Sequence, residues 1–355
     1  MDRNGENRED LDLWRYEIDE LFTLIADRIS VFRRFYVLSV FSWIHNRFVW
    51  DFSNFTDLPK GLRKQLGDLF YVNPKLEPSA RHVSKDRSVK YLFKSDDNYP
   101  VESVFIPFKN RASLCVSSQV GCKFNCDFCY SAKYGFKRDL TVNEMLSQVY
   151  LTQKRERRKI THIVFMGSGE PLDNYDNLLK SIRILNSKEG QSISLRRMTI
   201  STIGIPDKIV DIANNLPQIN VALSLHAAIS SKRDKIIPAN KIYPLEKVLN
   251  SLEIYQKKTN RQITFEYVIL DGFNTLNEDI SAMRKLSKRF DCHYNLIPVN
   301  SIGADMQTAR KNAFSFLYKL RKQGIKKASV RNSRGSDILA ACGQLLFDDM
   351  HSCKN

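Results

Sequence analysis

Between about Leu11 and Val72 apolar residues recur at helical spacing, with Pro59 and Gly61 breaking the pattern and no stretch alternating like a strand. This predicts a small helical domain over residues 1–75. From Arg81 to Phe108 the texture changes to short β-like runs, such as Val89 to Phe93 and Val101 to Ile106, which predict a ribbon or linker extension over residues 76–110. After Arg111 an alternation sets in. Strand-like runs at Leu114 to Ser118, His162 to Met166, Met198 to Thr202, Val221 to Leu225, Ile263 to Leu270 and Tyr294 to Val299 are separated by helical segments such as Val142 to Arg157, Leu245 to Lys257 and Ala309 to Gln323. Six strand-then-helix units imply an α/β core with a parallel sheet, open or curled into a partial barrel, over residues 111–346, with a tail at 347–355. Ligands of such sheets gather at the C-terminal ends of the strands. There is no solenoid-period repeat and no low-complexity segment.

With 355 residues, 43% of them apolar, the chain can bury one large core beside a smaller accessory domain. The 55 Lys and Arg outnumber 39 Asp and Glu, and the formal charge of +16 would draw in a polyanion, nucleic acid first among them. Basic runs occur at Lys60 to Lys64, Lys154 to Lys159, Arg196-Arg197, Lys232 to Lys235 and Lys319 to Arg331, each of which alone reads as a solvated helix face. The polar opening Met1 to Asp12 lacks the features of an export signal, and the most apolar stretch, Phe35 to Asn46, is well short of the ~20 residues that cross a bilayer. A cytoplasmic protein without a membrane partner is expected, and that stretch reads as a buried helix.

Seven cysteines, an odd number crowded towards one segment of a large chain, suit metal or redox chemistry in a reducing compartment better than a disulfide framework. Cys122, Cys126 and Cys129 have the spacing C-x3-C-x2-C on the loop after the first core strand. Three thiolates on one loop can hold three irons of a [4Fe-4S] cubane and leave the fourth open to another ligand. Structural zinc is the rival, although it wants four ligands and no His or Cys lies between Cys129 and His162.

Met166-Gly167-Ser168-Gly169-Glu170-Pro171 follows the second core strand, where glycines let backbone N–H groups approach a ligand; an ordinary strand-to-helix turn would look the same. The following strand ends also carry polar residues: Ser201-Thr202, Ser224-Leu225-His226 and Asn300. Cys115, on the first core strand, and Cys342, in Ala340-Ala341-Cys342-Gly343-Gln344-Leu345, read either as small buried hydrophobes or as chemistry. Cys292 and Cys353 read as small hydrophobes.

From about Arg47 to Leu345 the chain resembles the RlmN/Cfr family of radical S-adenosylmethionine (SAM) RNA methyltransferases. The resemblance rests on Arg111 to Cys122 (RASLCVSSQVGC), Gly169-Glu170-Pro171, Ser224-Leu225-His226, Asn295-Leu296-Ile297-Pro298, and Arg334-Gly335-Ser336-Asp337-Ile338 leading to the Cys342 segment. It implies a radical SAM partial (β/α)6 barrel behind a small helical N-terminal domain, a [4Fe-4S] cluster on Cys122, Cys126 and Cys129, and SAM held by Gly169, Glu170, Ser201, Ser224, Leu225, His226 and Asn300. It also implies catalysis by Cys342, Cys115 and Glu102. One SAM methylates the Cys342 thiolate, and a second, cleaved at the cluster, gives a 5'-deoxyadenosyl radical that takes hydrogen from that methyl group. The resulting carbon radical adds to adenine, and Cys115 helps release the RNA, leaving a transient Cys115–Cys342 disulfide. Either Glu102 or Cys115 takes the ring proton. The chain departs from the usual family wording at Ser168 and Tyr130.

RlmN-type members methylate adenine C2 in 23S rRNA and certain tRNAs, whereas Cfr-type members methylate C8. Val120 and Pro171 stand where Cfr-type sequences tend to carry cysteine and alanine, which favours C2. The implied partners are 23S rRNA, tRNA and an external electron donor such as a flavodoxin or ferredoxin. A module that merely binds RNA around a structural cluster is the alternative, and the pairing of Cys115 with Cys342 speaks against it.

Overall fold

A computed structural model of the protein describes residues 11–299, 305–332, 334–341 and 343–345. The chain opens with helices α1 (Ile18–Ala26), α2 (Arg34–His45) and α3 (Lys60–Leu69). Pro59 does not break a helix but stands at the N-cap of α3. In α2 the face with Val37, Val40, Phe41 and Ile44 is buried, while Phe35 and Leu38 remain 58% and 43% exposed. The apolar run expected to be a buried helix is therefore buried on one side only. No helix among the described residues is long and apolar enough to cross a membrane.

Three antiparallel strands follow, β1 (Leu76–Val83), β2 (Val89–Ser95) and β3 (Pro100–Pro107), and β3 pairs with β4 (Ala112–Val116). The ribbon is thus continuous with the core sheet. A small pair, β5 (Gln119–Val120) and β6 (Arg138–Asp139), brackets the cysteine loop and the short helix α4 (Tyr130–Tyr134). Then helices and parallel strands alternate: α5 (Val142–Glu156), β7 (His162–Phe165), α6 (Tyr175–Asn186), β8 (Met198–Thr202), α7 (Pro206–Asn215) and β9 (Asn220–Ser224). The chain continues through α8 (Ser230–Ile236), α9 (Leu245–Thr259), β10 (Ile263–Ile269), α10 (Asn277–Arg289), β11 (Cys292–Pro298), α11 (Met306–Lys322) and β12 (Ala328–Val330).

The ten-stranded sheet has the order β1-β2-β3-β4-β7-β8-β9-β10-β11-β12, parallel from β4 onward. Neighbours in sequence are neighbours in space, as short crossover connections require. β12 is a seventh parallel strand beyond the six expected. The sheet forms a partial barrel whose edges are β1 and β12.

The helical N-terminal region is fastened to α5, whose first turn is closed by reciprocal hydrogen bonds between Thr141 and Glu144. Asn143 Nδ2 donates to Asp12 Oδ2 at 2.9 Å, and Trp14 Nε1 donates to the Val72 carbonyl at 2.7 Å. Trp14 is fully buried, its ring 5.3 Å from that of Tyr150. Removing an indole of ~200 Å² from water contributes about 5 kcal/mol as an upper figure.

Candidate active site

The C-terminal ends of the parallel strands surround a cavity of about 160 Å³. Cys122, Cys126 and Cys129 line it from the loop after β4. Gly169 and Glu170 reach it from beyond β7, Ser201 from β8, and Ser224 and His226 from the end of β9. Five of the seven residues expected to hold the cofactor thus line this cavity. Leu225 does not, because side chains alternate along a strand and its side chain is fully buried in the core between two neighbours that face the cavity. Asn300 lies outside the described residues. A larger, more open groove of about 670 Å³ runs along the N-terminal region past Trp50, Arg63 and Tyr71; no cysteine lines it.

The cysteine loop is closed on itself at Gly121, whose φ is +75°; a Cβ there would sit 1.8 Å from the Gly135 carbonyl oxygen. Ser168 joins this loop to the glycine turn. Its carbonyl accepts from the amides of Ser118 (2.9 Å) and Gln119 (3.1 Å), and its Oγ accepts from the Gly121 amide at 3.2 Å. The departure from family wording at this position therefore supplies a tie rather than a ligand contact. Gly169, with φ +99°, lies so close to Gln119 that a Cβ would meet that side chain at 2.5 Å, and Gln119 Oε1 accepts the Glu170 amide at 2.9 Å.

Burial pushes the Cys122 thiol up to about 12, and burial with the neighbouring cysteines raises Cys126 well above the usual thiol range. Such thiols become thiolates only against metal charge. Among the described residues no three His, Cys, Asp or Glu side chains converge closely enough to share one metal ion. Three thiols of one loop lining a cavity suit three irons of a cluster whose fourth iron is left to another ligand, whereas a closed zinc site takes four protein ligands. The donor set fits a [4Fe-4S] cubane.

The strand-end residues lie close to the cysteine loop, the His226 ring 4.7 Å from that of Phe128. Glu170 is buried, and burial lifts its carboxyl to about 7 although Leu172 N (3.0 Å) and Ile203 N (2.8 Å) donate to its two oxygens. A cation bound beside it would restore the carboxylate. His226 is held neutral, lowered to about 3 by burial and then by Arg233. Its Nδ1 accepts the Val268 amide at 3.0 Å, which puts the ring proton on Nε2. Arg233 itself is fully buried and donates to the carbonyls of Ile203 (2.6 Å) and Ser224 (3.1 Å), tying the ends of β8 and β9 together. Two members of its basic run are thus engaged within the fold, Lys232 pairing with Glu278 (2.6 Å) and Asp279 (2.7 Å), while Lys235 is exposed.

Cys115 occupies a row of directly paired residues, Lys90, Val104, Cys115 and Val164, that crosses β2, β3, β4 and β7. It is buried and clusters with Val104, Ala340 and Leu345. Glu102 is on the same face of β3 as Val104, two residues along, and pairs with Lys90 across 3.3 Å, both side chains at most 2% exposed. Glu102 does not line the cavity. Cys342 lies outside the described residues. Gly343 lines the cavity, and its carbonyl accepts the amide of Tyr130, the residue after the third cysteine of the motif, at 2.9 Å. Cys292 is buried in the main core.

Sequence reading missed a polar set in the lining of the cavity. Glu266 of β10 accepts from Asn295 Nδ2 (3.1 and 2.9 Å) and pairs with Arg331, just beyond β12, at 3.4 Å. The Arg331 guanidinium also lies 3.9 Å from the Met166 sulfur. Glu266, Arg331 and Met166 all line the cavity. Asn295 stands in the quoted Asn295-Leu296-Ile297-Pro298 motif and was the available signal.

Comparison with known proteins gives concordant matches. The radical SAM superfamily model matches residues 116–286, and that of the ribosomal RNA large subunit methyltransferase N-terminal domain matches residues 11–72. The chain is 40% identical over 325 residues to a probable dual-specificity RNA methyltransferase RlmN of Thermotoga sp. (strain RQ2), covering 91% of this chain and 94% of that protein. A protein of the same description from Geobacillus kaustophilus (strain HTA426) is 39% identical over 348 residues, 96% of this chain and 94% of that protein. Among solved structures, a radical SAM methyltransferase from Sphaerobacter thermophilus superposes with a TM-score of 0.84 at 35% identity, covering 94% of this chain and 98% of that one.

Proposed function

The chain belongs to the RlmN family of radical SAM RNA methyltransferases, which work with a [4Fe-4S] cluster and SAM, and on that premise we propose that it methylates C2 of adenine in 23S rRNA and in tRNA. What supports this is the company kept around one cavity: three thiols fit for a cluster, Glu170, Ser201, Ser224 and His226 from the strand ends, and Gly343 of the Cys342 segment. When bound, the cluster and SAM supply the methyl group and a carbon radical.

The residues of the chain do the rest. Cys122, Cys126 and Cys129 hold the cluster. Glu170, with Ser201, Ser224 and His226, receives SAM, its carboxylate facing the cationic amino group. Cys342 carries the methyl carbon as a thioether, so that this carbon, once a radical, bonds to C2. An electron-poor ring carbon cannot attack a methyl donor itself, so radical addition is needed. After the ring proton passes to Glu102 or Cys115, Cys115 as a thiolate bonds to the Cys342 sulfur while the carbon–sulfur bond breaks and the freed carbon takes a proton to become methyl. The one electron left over would return to the oxidised cluster, and an external two-electron reductant resets the disulfide. A flavodoxin- or ferredoxin-type donor supplies the electrons.

The test is product analysis. Anaerobically reconstituted protein, incubated with defined rRNA and tRNA fragments, should yield 2-methyladenosine after nuclease digestion and mass spectrometry. 8-Methyladenosine would overturn the assignment, as would SAM cleavage without any methylated nucleoside.

A further inference from the structure

Helix α11 (Met306–Lys322) packs Ala309, Ala313, Phe316, Leu317 and Leu320 against the sheet. Its outward face follows from the 100° turn per residue: Arg310, Phe314, Tyr318 and Lys322, each four residues from the last, form one ridge on the solvent side. Phe314 and Tyr318 are 47% and 61% exposed. The Arg310 guanidinium lies 5.7 Å from the centre of the Phe314 ring, and Lys322 Nζ lies 4.7 Å from that of Tyr318.

The charge of this helix is one-sided. It contains Arg310, Lys311, Lys319, Arg321 and Lys322 and no Asp or Glu. Among the described residues none of these five forms an ion pair. By contrast Arg289 of α10 pairs with Glu246 and Glu253 of α9, each at 2.7 Å. Leaving five like charges uncompensated on one helix and two aromatic rings in water stabilises nothing in the folded chain by itself. The ridge begins at the active-site end, where Arg310 Nη2 lies 3.5 Å from Asn332 Oδ1, next to the cavity-lining Arg331.

We infer that the Arg310–Phe314–Tyr318–Lys322 ridge is a platform for unpaired RNA, with bases stacked on the two rings and flanking phosphates neutralised by the helix's cations. Aromatic faces flanked by cations recognise single strands, since paired bases hide their faces within the stack and present mainly a phosphate surface. An acidic protein would satisfy the charge but gives no reason for two exposed rings set between cations. The inference rests on the reading of RNA as substrate and adds where the strand leaves the cavity.

The test uses the reconstituted full-length protein and a single-stranded RNA 20-mer alongside a duplex of equal length. Phe314→Ala/Tyr318→Ala should weaken single-strand binding on the order of tenfold or more and leave duplex binding, iron–sulfur absorbance and SAM binding unchanged. Tyr318→Trp should gain a fluorescence signal that the single strand quenches and the duplex does not. Unchanged single-strand affinity overturns the inference, as does an equal loss for the duplex. So does a change in sedimentation that marks the rings as a contact between copies. If the ridge behaves as stated but no methylated nucleoside forms, the functional reading fails and the platform stands. If methylation proceeds and the ridge is inert, the platform fails and the function stands.

Discussion

Lys90 Nζ and Glu102 Oε1 face each other across 3.3 Å on adjacent strands, side chains 2% and 1% exposed, in the sheet region that carries Cys115. A buried pair of this kind is held by mutual compensation, and loss of one partner strands the other charge in a poorly polarisable interior. Lys90→Met should therefore cost about 3–5 kcal/mol in urea unfolding, and Lys90→Met/Glu102→Met should regain most of it. Equal stability of the two variants would show that the charges do not depend on each other.

Glu102→Gln tests the chemistry at the same spot and, because it too leaves the Lys90 charge uncompensated, is read against Lys90→Met, which carries a like structural loss but keeps the carboxylate. The amide oxygen still accepts from Lys90 but can take no proton. With Glu102 as proton acceptor, product formation should slow by about 100-fold or more while iron content and SAM binding stay normal. An unchanged rate assigns the ring proton to Cys115.

The cysteine loop should be as sensitive to its closure as to its ligands. Cys122→Ala removes a thiolate and should abolish the iron–sulfur absorbance, since three ligands leave none to spare. Gly121→Ala keeps every thiol yet sets a Cβ against the Gly135 carbonyl, 1.8 Å away in the present backbone. It should fold and bind iron at well under half the wild-type stoichiometry in anaerobic reconstitution; full iron loading would show that the loop can rearrange.

Buried His45 links acid stability to the docking of the N-terminal region. Burial lowers it from 6.5 to about 3, while its Nδ1 lies 3.1 Å from the Tyr150 hydroxyl. Below pH 6.5 the unfolded chain binds a proton that the folded chain refuses, so the contribution is intact above pH 6.5 and lost as pH falls towards 3. Asp12, raised to about 6, and Glu170, raised to about 7, act in the opposite sense, so the comparison must be with a variant. Between pH 6.5 and 5, wild type should lose about 2 kcal/mol more than His45→Phe. Parallel urea midpoints for the two proteins would contradict this.

Much of the site was legible because its residues sit in short motifs at strand ends, where alternation and turn chemistry are strong. Cys122, Cys126, Cys129, Gly169, Glu170, Ser201, Ser224 and His226 all meet at one cavity. Leu225 shows the limit of reading a motif as a block, since its neighbours face the cavity and it faces the core. Glu266 and Arg331 were not legible: they lie 65 positions apart and meet only because β11 stands between β10 and β12. Strand β12, three residues long, is too short to show a period. Arg233 was hidden in a basic run that reads as solvated, although its guanidinium is fully buried behind the cavity.

The chemistry as a whole is tested most directly by the protein–RNA bond. In Cys115→Ala the methyl carbon on Cys342 should still bond to adenine, but no thiol remains to break the carbon–sulfur bond. The reconstituted variant should accumulate a slow-migrating, nuclease-sensitive species in which mass spectrometry finds RNA attached at Cys342, and Cys342→Ala should form none. Normal turnover by Cys115→Ala, or the same adduct in Cys342→Ala, would contradict the account.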